Sequence, residues 1–330
     1  MRIGRSTLAA SAITAAAALL LSGCGGLSSS GPSAGAGSLA KAANLQGQNY
    51  TVGGKNNFDE QFVLCEATDA ALESAGATVT NRCGTGGTDV TRQALLRGDI
   101  DTYWEYTGTA WASFYKNPTD SVKDDNQLYE KVKQTDGAPN KTNNNVPIVW
   151  MDKAGFNNTY GFAIPQAKSQ ELKINTLSDM AAYLKAGKPG KICVETEYQS
   201  RDDGLRGLQK TYGFTLKPEQ VETLDAGVIY DSTAKGQCLF GEVYTTDGRI
   251  NGLNLKVLED DKKYHVTYNA APTMRKDVYD RNPDVAKVLD PIAQALDYPT
   301  ILELNKQVSV DGKNARDVAR DWMKQKGFIG

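Results

Sequence analysis

Two rhythms of apolar and polar positions run along the chain. Residues 49–53 (NYTVG) read as a strand. From Phe58 the spacing turns helical, with Phe58, Phe62, Cys65 and Leu72 on one face. Asn57 precedes that stripe and Glu60 follows three residues on, the spacing of a capping box, so Asn57 is expected to cap the helix. Residues 77–80 suggest a strand, 89–97 a helix and 100–104 a strand again. Helix following strand repeatedly predicts an α/β architecture with a largely parallel sheet.

A polar loop occupies 135–145 (TDGAPNKTNNN), and IVW (148–150) and YGFAI (160–164) read as strands. The alternation then restarts, with helices near 176–186 and 203–212 and strands at 191–194, 239–245 and 254–258. Beyond this the chain turns helical. Asn282-Pro283 opens a helix with Val285, Val288, Leu289, Ile292 and Leu296 on one stripe. The last helix carries Ala315, Val318, Ala319, Trp322 and Met323 on one face and is closed by Gly327. Two α/β units with a helical tail result, and the tail and first unit are expected to form one lobe around an inserted second.

The first residues add an export reading. Arg2 and Arg5 precede an apolar run from Leu8 to Leu21, which ends in Leu21-Ser22-Gly23-Cys24. A basic start, a short apolar core and small residues before a cleavage point define a secretory signal. The Leu, two small residues and Cys24 resemble the lipobox of bacterial lipoproteins, which implies a lipid-modified Cys24 and an extracytoplasmic, membrane-anchored protein. Residues 25–38 (GGLSSSGPSAGAGS) lack apolar periodicity, and a flexible tether is expected over 25–45. Arg2 and Arg5 are the only charged residues before Cys24. The chain from Cys24 onward therefore has 35 basic against 39 acidic residues, a net charge of −4. A weakly acidic chain without a basic tract argues against a nucleic-acid partner.

Four further cysteines, Cys65, Cys83, Cys193 and Cys238, suggest two disulfides in an exported protein. Three pairings are possible. Cys65–Cys83 with Cys193–Cys238 is favoured because each stays within one expected lobe, with four buried thiols as the alternative. No CxxC spacing suggests a metal site, and no cofactor is expected. One histidine, no GxSxG, no HExxH and no phosphate-binding Gly-Lys-Ser/Thr loop argue against an exported hydrolase. His265 is read as neither ligand nor base. Asp99, Asp101 and Asp247 are read as structural.

Six segments, in order, carry a family resemblance: GKNNFDEQFVL (54–64), LLRGDIDTYWEYTGTAW (95–111), GFNNTYGFAI (155–164), Arg201-Asp202-Asp203-Gly204, VYTTDGRI (243–250) and YNAAPTMRKDV (268–278). Together they resemble the binding proteins of osmoprotectant ABC importers, the glycine betaine, choline and carnitine type. The resemblance implies a two-lobed α/β periplasmic-binding-protein fold of type II, with two crossover strands and a ligand cleft between the lobes. Residues 46–157 with 264–330 are assigned to lobe 1 and 158–263 to lobe 2, after a signal peptide over 1–24. The resemblance implies a cage of Tyr106, Tyr160, Tyr244 and Tyr268 around a quaternary ammonium. Thr109, Arg201 and Lys55 would hold a carboxylate. The chain has one residue more before Phe58 than the family usually has, so Lys55, Asn56 and Asn57 remain alternatives for the ligand-facing position. The expected partners are a small quaternary-ammonium or zwitterionic solute, a permease with a separate ATPase subunit and, through the lipid, the membrane. A monomer is expected. Another polar solute, such as an amino acid, is the alternative cargo.

Ring chemistry supports the cage independently. A quaternary ammonium offers no hydrogen-bond donor, so directed hydrogen bonds cannot hold it. Aromatic faces attract it by about 0.5–2 kcal/mol each.

Overall fold

The computed structural model describes residues 37–330. Cys24 and most of the expected tether lie outside them. Ten strands form two five-stranded sheets. The first contains β1 (Asn49–Lys55), β2 (Thr78–Gly86), β3 (Thr102–Tyr106), β4 (Ile148–Trp150) and β10 (Ala270–Arg275), in the order β2-β1-β3-β10-β4. The second contains β5 (Tyr160–Pro165), β6 (Ile192–Val194), β7 (Val221–Thr223), β8 (Phe240–Tyr244) and β9 (Leu255–Val257), in the order β7-β6-β8-β5-β9. The two follow one plan. In each, three strands run parallel, and the fourth (β10 or β5) is antiparallel to its neighbours.

The antiparallel strand is the one that has just crossed from the other sheet. The chain crosses over residues 151–159 and returns over 258–269. These segments run side by side, with Asn158 N–H donating to the Tyr268 carbonyl at 3.0 Å and the Thr159 hydroxyl to the Val266 carbonyl at 3.0 Å.

Burial follows the sequence rhythm. Helix Asp59–Ser74 covers β1 and β2 with Val63, Leu64, Ala67, Ala70 and Ala71. The tail packs back on that helix: Ala315–Gln325 buries Val318, Ala319, Trp322 and Met323 in the same core, each large side chain contributing about 1.5–3 kcal/mol. Cys65 pairs with Cys83 and Cys193 with Cys238, both with Cα atoms 5.8 Å apart, matching the favoured pairing.

Three local expectations change. Strand β2 runs to Gly86, well past residue 80, because it follows β1 to its end, pairing from Asn49 through Gly53 and again at Lys55 across a register shift. Helices Asp125–Asp136, Ala226–Ala234 and Tyr298–Ser309 add to those read from the sequence. Asn57 does not cap its helix: Phe58 holds the N-cap position without a side-chain bond, and the Asn57 amide reaches across to Glu195 in the other lobe.

Candidate functional site

In open α/β sheets, ligands collect beyond the carboxyl ends of the parallel strands, where the chain turns away and leaves side chains facing a crevice. Here β1 ends at Lys55, β3 at Tyr106 and β8 at Tyr244, and Glu195 and Glu197 follow the end of β6. The antiparallel strands begin at the same level. Tyr160 opens β5 and lies directly across from Tyr244 in the ladder, and Tyr268 stands two residues before β10, where Ala270 pairs with Tyr106. The sheet registers thus bring the four tyrosines to one level from four distant stretches of chain.

With Lys55, Asn57, Phe58, Thr88, Thr109, Asn158 and Glu197 they line a nearly closed cavity of about 10 Å³. That is far below the ~300–1,000 Å³ of drug-sized pockets, so the rings are packed against one another and not around a solute-sized space. Tyr160 meets Tyr244 with ring centroids 5.2 Å apart and Tyr268 edge-on at 5.2 Å. Phe58 stacks on Tyr244 at 4.7 Å and lies 5.9 Å from Tyr106. Gly108 permits the Tyr268 position, since a Cβ there would stand 2.7 Å from two of its ring carbons.

Three of the four tyrosine rings are tethered by their hydroxyls. Tyr106 donates to Glu60 Oε1 at 2.7 Å, Tyr244 to Glu195 Oε2 at 2.7 Å and Tyr268 to Asp203 Oδ2 at 2.6 Å. Burial drives the hydroxyls of all four tyrosines well above their ordinary pKa, so the rings remain neutral phenols. Glu60 also accepts from Asn158, Thr246 and Asn305, and burial raises it despite those bonds. Burial likewise raises Glu195 and, behind it, Glu242. Glu197 goes the other way. Burial opposes its charge, but Lys55, Arg201 and the hydrogen bond from Thr88 together hold it below the usual carboxylate range. The cavity wall therefore carries one firmly ionised carboxylate.

The cationic residues divide. Lys55 lines the cavity with its ammonium 5.1 Å from the Tyr106 ring centre, and it is 2.6 Å from Glu105 Oε1. Arg201 does not line this space; it faces a wider cleft alongside, which Asn56, Asn57, Thr88, Glu195 and Glu197 also border. Three of its five N–H groups are engaged: Nε and Nη2 donate to Asp203 at 2.8 and 2.6 Å, and Nη1 to Glu197 at 3.0 Å. The guanidinium carbon is 5.6 Å from the Tyr160 ring centre. Arg201 thus braces Tyr160 directly and Tyr268 through Asp203, and it borders the wider cleft and not the ring-lined cavity where a carboxylate was expected to be held. Among the three alternatives near Phe58, Lys55 and Asn57 line the cavity and Asn56 lines only the wider cleft.

Sequence reasoning missed Phe58, Glu195 and Glu197. Phe58 read as helix core, and the glutamates fall just past the strand read over 191–194; the rule of strand carboxyl ends would have found them. His265 touches no ligand-facing surface. It bonds Asp260 Oδ2 through Nδ1 at 3.2 Å and the Tyr198 hydroxyl through Nε2 at 2.8 Å, and the Tyr198 ring backs Tyr160 at 4.9 Å. Asp101 accepts from Thr51 N–H and Arg275, and Asp247 from Arg249, both structural pairings.

Two α/β lobes, joined by paired crossings and meeting at a ring-lined cavity, define a two-lobed solute-binding protein. The chain belongs to the family described as the substrate binding domain of ABC-type glycine betaine transport systems, matched over residues 48–325. Members serve ABC transporters as extracytoplasmic solute-binding proteins, not as enzymes. A glycine-betaine-binding protein of Pseudomonas aeruginosa is 35% identical over 293 residues, covering 87% of this chain and 91% of that protein. An ergothioneine transport permease/ergothioneine binding protein, EgtU, of Helicobacter pylori is 32% identical over 82% of this chain and 46% of that longer protein. Among solved structures, apo YehZ from Escherichia coli superposes with a TM-score of 0.61 at 33% identity, covering 85% of this chain and 99% of the other. Among the described residues no helix is long and apolar enough to cross a membrane.

Proposed function

We propose that this protein is the receptor of an ABC importer for a small quaternary-ammonium solute, held by Tyr106, Tyr160, Tyr244, Tyr268 and Phe58. One observation carries the reading: five aromatic rings from both lobes converge on one cavity that also holds the charged Glu197. A methylated nitrogen spreads its charge over a surface without donors, and ring faces with a nearby carboxylate complement that surface. Each favourable ring contributes about 0.5–2 kcal/mol. Lys55 and Thr109 supply the polar end of the same space. Rings packed this closely must part to admit a solute, and bending of the crossings over 151–159 and 258–269 provides the motion. A solute touching both lobes favours the closed form by its differential affinity. The relatives named for glycine betaine and for ergothioneine support a small-solute cargo.

Anchorage is proposed through a lipid on Cys24, with separate permease and ATPase subunits as partners. Replacing Cys24 by Ala should release the protein from the membrane fraction; retention there would overturn the anchor.

A calorimetric screen of small cations, zwitterions and amino acids tests the cargo. Saturable binding of trimethylammonium compounds is expected, with Tyr160→Leu weakening it by roughly 3–30-fold through loss of one ring face. Binding of amino acids alone, or an unaltered affinity in that variant, would overturn the reading.

A further inference from the structure

Asn57 stands where the ring-lined cavity meets the wider cleft and borders both. Its Nδ2 donates to Glu195 Oε1 at 3.1 Å and, at 3.4 Å, to the Tyr244 hydroxyl, which itself donates to Glu195 Oε2. Both Glu195 oxygens act as acceptors, so they fix the amide with its nitrogen toward Glu195. The amide oxygen then has to find its donor on the other side. Asn57 Oδ1 is buried and has no hydrogen-bond partner among the described residues. Buried amide oxygens are nearly always paired, and an orphan in a binding wall calls for a partner.

The charged and N–H donors around this oxygen are directed to carboxylates instead. The Lys55 ammonium is held by Glu105, the Thr88 N–H donates to Glu197 and the Arg201 nitrogens are held by Asp203 and Glu197.

We propose that Asn57 Oδ1 accepts a hydrogen bond from the solute, so that this site selects quaternary ammonium compounds bearing an O–H or N–H donor a short chain away from the nitrogen. This rests on the quaternary-ammonium reading above and narrows it. The methylated nitrogen lies among the rings, and the donor-bearing arm runs past Asn57 toward the wider cleft, with Glu197 beside it. A solute whose only other polar group is a carboxylate would set acceptor against acceptor at Asn57 and charge against charge at Glu197. A donor in the solute reverses the first and eases the second.

Three probes of nearly equal size separate the possibilities by calorimetry on the intact protein: choline, n-propyltrimethylammonium, in which a methyl replaces the hydroxyl, and (2-methoxyethyl)trimethylammonium, which keeps the oxygen and loses the donor. Choline should bind about 10–100-fold more tightly than either analogue. In Asn57→Leu its lead should shrink to about three-fold or less. The two analogues on the unmodified protein decide the matter even if that variant does not fold. Equal binding of all three would overturn the donor inference and leave the ring site standing. A methoxy compound matching choline, or a choline lead that persists undiminished in folded Asn57→Leu, would also overturn it. Failure of all three to bind would overturn the quaternary-ammonium reading itself.

Discussion

Replacing Arg201 with Gln should cost stability first and ligand discrimination hardly at all. The guanidinium makes three hydrogen bonds of 2.6–3.0 Å to Asp203 and Glu197, and its side chain is 6% exposed against 1% for Asp203. Removing one partner of a buried pair strands the other charge and costs about 3–5 kcal/mol. For a domain of this size that corresponds to a fall in Tm of roughly 6–20 °C. The pH dependence has a defined sign. Burial alone would raise the Asp203 carboxyl, but Arg201 and the hydrogen bonds it accepts hold it below the usual range. The native pair therefore stabilises the fold above the carboxyl's unfolded pKa, and loses that contribution only as pH falls through the depressed folded value. Without Arg201, burial prevails and Asp203 prefers to be protonated, so the deficit of the variant should narrow as pH falls. Calorimetric melting of both proteins between pH 4 and 8 reads this directly. Ligand affinity should fall alike for carboxylated and uncarboxylated cations, because Arg201 acts through Tyr160 and Tyr268. An unchanged Tm with selective loss of carboxylated ligands would refute the reasoning and make Arg201 a direct ligand clamp.

Gly108→Ala should drive its new Cβ into the Tyr268 ring, which stands 2.7 Å from that position; a stability loss of about 1–3 kcal/mol in denaturant unfolding and weakened cation binding are expected. Unchanged binding would mean that Tyr268 is dispensable to the cage. Each disulfide closes a moderate loop, spanning 18 residues for Cys65–Cys83 and 45 for Cys193–Cys238, so replacing either pair by Ala should cost about 2–4 kcal/mol. Of the two, Cys65–Cys83 is the one to follow by ligand titration, since Cys65 lies on the helix that begins beside Phe58.

Much of the fold was legible because the alternation of periods marks β1, β3, β5 and β8 and the two apolar helical stripes of the tail. The tyrosines were legible only through the order of motifs. Nothing local in Tyr160 or Tyr244 reveals that they are cross-strand partners; that depends on a register set 84 residues apart by the sheet. Arg201 shows the limit from the other side. Its charge suggested an anion grip, but the sequence could not reveal that Asp203, two residues on, would turn back and occupy it. Asn57 had the spacing of a helix cap. Tertiary structure overrode that preference because Glu195 approached from the second lobe. Phe58 was hidden by the same cause, since core and cavity walls draw on the same apolar stretches until the lobes meet.

Capture by ring faces depends on positive charge and not on shape alone, so a neutral copy of the solute separates the two. Choline and 3,3-dimethylbutan-1-ol share size, hydroxyl and branched head and differ in carbon replacing the charged nitrogen. Calorimetric titration at physiological salt should find choline at least about 100-fold tighter, the sum of several ring contacts. Affinities within about two-fold of each other would contradict cation recognition by Tyr106, Tyr160, Tyr244 and Tyr268.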